Sequence, residues 1–198
     1  MKFIKYLIVN ILFVVLLLAI YVVHVSFFKV NVLFYCSIFD GVVAAVLILL
    51  LINSIRYFEI FTRFERFQLV GSLFLLGYIF AISVPTVIDR SLSFYTLEKL
   101  QQRGGGIKLE AFEDVFTKEY VKEHRLIDVR LTEQLQSGTI VLKDGCVMLT
   151  DRGKRIATLS RFFRAHFLPK ERLLMGEYSD SLTDPFRNSS QAVDYQCR

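Results

Sequence analysis

The chain has 198 residues, of which 54% are hydrophobic, and a net charge of +5. That composition excludes a disordered chain and argues against a wholly water-soluble globule. Residues 1–86 hold six Lys/Arg and three Asp/Glu, whereas residues 87–198 hold eighteen and sixteen, so the first part reads as lipid-soluble material and the second as a water-soluble domain.

Residues 6–28 are interrupted only by Asn10, His24 and Ser26, long enough to cross a hydrocarbon core of about 30 Å as a helix. Lys2 and Lys5 precede them as in a signal peptide, but the apolar run is longer and has no A-x-A site, so an uncleaved anchor is expected. Residues 31–55 and 67–88 give two more spans, the last with Pro85 near its end, for a transmembrane domain over 1–88. The short link around Ser26–Asn31 forces an antiparallel hairpin. In the link Arg56–Arg66 the aromatic residues Tyr57, Phe58, Phe61 and Phe64 are expected at headgroup level, with Arg56, Arg63 and Arg66 reaching phosphate.

Asp40 is the carboxylate placed inside a span, where an ionised group is costly and by default faces a partner or a watery cavity. The alternative is a span starting near Phe39, which leaves Asp40 close to the interface. His24 lies within a turn of its span's end and is expected to reach headgroups. Ser37, Gly41, Ala44 and Ala45 form a small-residue stripe suited to close helix packing. Asp89 and Arg90, at the membrane exit, are candidates for a lipid headgroup or phosphate.

Beyond the membrane, Arg90–Arg103 has helical apolar spacing, and Gly104–Gly106 breaks it. Leu109, Phe112, Phe116 and Tyr120 mark a second helix, and Ile127, Leu131 and Leu135 a third that stops at Ser137-Gly138. Thr139–Leu142 and Cys146–Thr150 flank Lys143-Asp144-Gly145 and predict a β-hairpin. Thr150 then caps a helix whose apolar face is Ile156, Leu159, Phe163 and Phe167, ending before Pro169. A shared core is expected from Leu97, Leu100, Phe112, Phe116, Leu131, Leu135, Leu149, Ile156 and Phe163.

Residues 129–140, Lys143-Asp144-Gly145 and 149–157 resemble the recognition helix, wing and following helix of winged helix-turn-helix domains. The resemblance covers about residues 90–167 and departs from the pattern at Lys108, where a Ser or Thr cap is usual. It implies a small α+β domain over 90–168, followed by an irregular tail over 169–198. It further implies that Arg125, Arg130, Gln134 and Gln136 face DNA bases or a protein partner, with Lys143 reaching phosphate. The segment also carries Glu119, Glu123, Asp128, Glu133 and Asp144, so it lacks the basic face that DNA demands.

Asp151–Arg172 contains seven basic and two acidic residues. Arg152, Lys154, Arg155, Arg161 and Arg164 suit a membrane surface of anionic headgroups, or else a solvated helix face. Asn188-Ser189-Ser190 fits the glycosylation pattern. Cys36, Cys146 and Cys197 are odd in number and lack Cys-x-x-Cys spacing, so all three read as free thiols.

Motifs for phosphate cradling, a serine nucleophile or a metalloprotease are missing from the sequence, and neither cofactor nor metal is expected. The expectation is a non-catalytic integral membrane accessory subunit, bound to a larger membrane protein or a second copy of itself, in a cell-envelope lipid or polysaccharide pathway. Alternatives are a membrane-tethered transcription regulator and a small lipid-binding protein or enzyme using Asp40, Asp89 and Arg90. A bacterial inner (plasma) membrane is the expected location. Lys2, Lys5, Arg56, Arg63 and Arg66 against Lys29, Arg90, Lys99 and Arg103 favour a cytoplasmic N-terminus by one charge. The basic helix and the winged-helix resemblance lean the other way, to a cytoplasmic C-terminal domain.

Overall fold

The computed structural model describes residues 2–187. It shows three long apolar N-terminal helices followed by a small domain of helices and strands. The chain divides into two compact units, Met1–Leu126 and Ile127–Arg198, with the boundary inside the segment read above as one winged-helix-like domain. Asn188-Ser189-Ser190 and Cys197 lie outside the described residues.

In the first unit, α1 (Lys2–Phe27), α2 (Leu33–Ser54) and α3 (Arg63–Ala81) are each long and apolar enough to cross a membrane, α3 continuing in helical turns to Arg90. The middle helix packs on both others. Val9, Phe13 and Leu17 of α1 recur every four residues and meet Ala44, Ala45, Ile48 and Ile52 of α2 and Leu69 and Leu73 of α3 in one core. The expected small-residue stripe is wholly buried. It lets the backbones of α2 and α3 approach until a Cβ on Gly41 would lie 3.1 Å from the Gly77 Cα, and the reverse.

The link between α2 and α3 is partly folded into the bundle. Phe58 and Phe61 stack with ring centroids 6.3 Å apart and are buried in the same core as Ile52 and Leu69. Burying two phenyl rings there removes a large apolar area from solvent. Arg66 turns back to donate to Asn53 Oδ1 and the Phe61 carbonyl, and the Lys5 ammonium lies 4.0 Å above the Tyr57 ring. A capping box starts α3 four residues before the expected span. The Thr62 hydroxyl accepts from the Glu65 N–H while the Glu65 carboxylate accepts from the Thr62 N–H.

Pro85 falls in a π-helical stretch, Ile82–Thr86, which leads into a last turn, Val87–Arg90. Proline has no N–H and its ring crowds the carbonyl four residues back, that of Ala81. The Thr86 hydroxyl donates to that carbonyl at 2.7 Å. Removing the hydroxyl with Thr86→Val should destabilise the bundle by about 1 kcal/mol. Unfolding in mixed detergent micelles measures this, and an unchanged midpoint would show that the Ala81 carbonyl does not depend on Thr86.

Beyond the spans, Ser91 caps α4 (Leu92–Gln102) by accepting from the Phe94 N–H. A single helical rod then runs through Leu109–Ala111, Phe112–Asp114, Val115–Tyr120 and Val121–Glu123, passing from 3-10 to α to π to α geometry; we label it α5. Tyr95, Val115 and Tyr120 form a small core of their own, with Ile107, Phe116 and Leu126 against it.

From the last residue of the first unit, α6 (Leu126–Gln136) runs into the second and leads to β1 (Ile140–Lys143) and β2 (Cys146–Leu149), an antiparallel pair with Lys143 opposite Cys146. Asp144 and Gly145 are the two loop residues, both at positive φ (50° and 75°), the backbone a tight primed turn requires. Thr150 caps α7 (Asp151–Phe167) as expected, its hydroxyl accepting from the Gly153 N–H and donating to the Gly138 and Thr139 carbonyls.

Residues 169–198, expected to be irregular, contain a second hairpin of β3 (Arg172–Leu174) and β4 (Glu177–Ser179) turning on Met175-Gly176. Arg187 pairs with both Asp180 oxygens at 3.0 Å just after it. The shared core expected from residue 97 to residue 163 is not formed as predicted, since Leu97, Leu149, Ile156 and Phe163 are all exposed. Cys36 is a free thiol, but Cys146 is disulfide-bonded, which corrects the reading of it as free.

A buried histidine–aspartate pair as the candidate functional site

Asp40 lies seven residues into α2, ~10 Å along the rod, and is 1% exposed. The imidazole of His24, on α1, meets this carboxylate: its Nδ1 lies 2.6 Å from Asp40 Oδ1. The carboxylate facing Nδ1 assigns the ring proton to that nitrogen and leaves Nε2 as the second working atom of the imidazole. Asp40 Oδ2 is buried with no hydrogen-bond partner.

The pair follows from the hairpin. α1 ends and α2 begins on either side of a short link, so residues at similar distances from that link come to similar depth. His24, three residues before the end of α1, and Asp40, seven residues into α2, are brought together by this antiparallel return. Phe28 and Phe39 set their rings edge-on to the imidazole, at 5.7 and 6.4 Å between centroids. Beside the pair is an apolar cleft of about 380 Å³ lined by Ala19, Ile20, Val23, His24, Phe28, Phe39 and Val43. Chemically, this is an imidazole oriented by a carboxylate beside an apolar cleft.

Asp89 and Arg90 are not part of that hydrogen-bonded pair. Asp89 is exposed in the last turn after α3, and Arg90 is half-buried and engaged in an interaction of its own.

A second polar cluster, overlooked in the sequence, lies between α4 and α5. Lys99 is 4% exposed, with its ammonium 2.7 Å from Glu119 and 2.6 Å from Glu123. Glu123 also accepts from the Tyr95 hydroxyl at 2.8 Å, and Arg103 reaches Glu119 at 3.0 Å. The two carboxylates raise the Lys99 ammonium above its usual range, while Lys99 holds both of them below theirs. Burial, aided by Glu123, raises the Tyr95 phenol. Glu119 and Glu123 are four apart and so share a helix face, a spacing visible in the sequence; their cation across Gly104–Gly106 is not.

The residues that the winged-helix resemblance assigns to a binding face are largely spent within the fold. Arg130 donates to Glu133 at 2.9 Å, and Gln134 accepts from the Thr139 hydroxyl through its side chain and its carbonyl. Arg125 adopts positive φ (44°) just ahead of α6 and is itself engaged. Gln136 and Lys143 are exposed. On α7, Arg152, Lys154, Arg155 and Arg161 are exposed; Lys154 pairs with Asp151 at 3.3 Å, and Arg164 donates to the Leu182 carbonyl. Among the described residues no group of three His, Cys, Asp or Glu side chains could hold a metal ion.

No protein-family model, curated protein or solved structure matches this chain.

Proposed function

We propose that the chain is an accessory subunit of a bacterial inner membrane whose C-terminal unit, a winged-helix-like module, docks a larger protein in a cell-envelope lipid or polysaccharide pathway. The observation that carries this reading is the β1–β2 hairpin. Val141, Leu142, Val147, Met148 and Leu149 are all exposed on it, an apolar surface of the kind that marks a protein contact. A DNA-reading role is disfavoured by the local engagement of Arg130 and Gln134.

Leu142 and Val147 are opposite one another across the ladder. Leu142→Glu/Val147→Glu should therefore abolish recovery of a stoichiometric partner from native membranes in mild detergent, with the circular dichroism of the purified chain unchanged. Equal recovery with both forms, or no partner with either, would overturn the docking role.

For the side of the membrane, the sequence favours a cytoplasmic module through the winged-helix resemblance. The Cys146 disulfide supports the opposite placement, since such bonds persist in oxidising compartments. Protease added to intact spheroplasts decides between them: cleavage within residues 127–187 places the module outside and removes any role on DNA.

A further inference from the structure

We infer that α7 lies flat on an anionic bilayer surface, with Ile156, Leu159, Phe163 and Phe167 inserted among the acyl chains. These four side chains recur at three, four and four residues and so share one face. All four are exposed, Leu159 and Phe167 by 65% and 64%. Of the seventeen residues of α7 only Gly153, in the first turn, is buried. The helix is thus held by its N-terminal turn and by the Arg164 bond to the Leu182 carbonyl, and its apolar stripe remains exposed. A helix of this length gains little stability in water from its own hydrogen bonds, so the stripe needs a covering surface.

Charge selects that surface. Arg152, Lys154, Arg155, Arg161 and Arg164 share the helix with Asp151 as its one acidic residue. This number of cations, interleaved with phenylalanine and leucine, rules out a spanning helix and suits one lying in the headgroup plane with its arginines on phosphates. The three spans of the same chain keep a bilayer within reach at all times, so the surface is met without a second encounter. Met175, 86% exposed at the tip of β3–β4, adds a further apolar point to the same unit.

The chain has no tryptophan, so Phe163→Trp introduces a single reporter into the full-length protein. In nanodiscs containing phosphatidylglycerol, its emission should shift to the blue and lose intensity when brominated acyl chains replace ordinary ones. In nanodiscs of phosphatidylcholine alone, both effects should be absent. Thr158→Trp, on the opposite face, should remain unquenched in either lipid. Arg155→Glu/Arg161→Glu in the Phe163→Trp background should abolish the quenching in phosphatidylglycerol.

Equal quenching in both lipids would overturn recognition of the anionic surface. Blue-shifted but unquenched emission from the Phe163→Trp reporter would show that a second copy, or another part of the same chain, covers the stripe, and would overturn the inference. Because the discs contain no partner protein, this result stands apart from the test of the docking hairpin.

Discussion

Replacing His24 with leucine should destabilise the three-helix bundle by about 3–5 kcal/mol, because it removes the hydrogen-bond partner of a carboxylate that is 1% exposed. Asp40 has no second partner to fall back on, since its other oxygen is already unpaired. The comparison that isolates the cause is the double variant His24→Leu/Asp40→Leu. With both polar groups gone, the site becomes apolar against apolar, and most of the lost stability should return. Unfolding midpoints of the wild type, both single variants and the double variant in mixed micelles give the coupling energy directly. Little loss on His24→Leu would mean that the carboxylate finds another partner. A double variant that folds well but no longer recovers its membrane partner would assign the pair a working role beyond stability.

Gly153→Ala should cost the C-terminal unit about 3 kcal/mol, although alanine is the better helix former by about 1 kcal/mol. The sign is decided by space. A Cβ at this position would lie 2.1 Å from the Thr139 carbonyl oxygen and 2.7 Å from Leu149 Cδ1. The leucine can rotate away, but the carbonyl is backbone and also accepts from the Thr150 N–H and hydroxyl. Accommodating one methyl group therefore means parting α7 from the hairpin. Hydrogen exchange at the β1–β2 amides and the thermal transition of the second unit read this effect. A variant more stable than wild type would contradict the close approach.

Features written in consecutive residues were legible in the sequence. The three apolar runs, the Asp144-Gly145 turn, the Thr150 cap and the stop at Gly138, whose φ is 68°, each rest on a local rule. The capping box at Thr62 was equally local. It was passed over because the segment was read through Arg63 and Arg66 as headgroup contacts, whereas Glu65 between them is spent on the Thr62 N–H and on Lys2 at 2.9 Å. The second hairpin gave a weaker signal. Its turn places Met175 at positive φ (49°), a conformation that the residue type does not advertise.

The candidate site was half visible. Asp40 announced itself by the cost of a carboxylate in lipid, but His24 was identified only once α1 and α2 were laid side by side. The inward turn of Phe58 and Phe61, and the Lys99 cluster, are likewise decided by packing across elements. The exposure of Leu149, Ile156 and Phe163 shows the converse: an apolar stripe in the sequence marks a face to be covered without saying what covers it.

The approach of Gly41 to Gly77 also sets the axial position of α2. At 3.1 Å a Cβ at either position is tighter than ordinary contact, so sliding α2 by one turn, which brings Ser37 or Ala45 toward Gly77, would force the two backbones apart. The close approach therefore favours one height for the helix, fixed on the face it shows to α3. Asp40 is the very next residue to Gly41, and its meeting with His24 inherits that height. A bulky residue at Gly77, on a helix that carries neither member of the pair, would thus pull the carboxylate out of step with the imidazole.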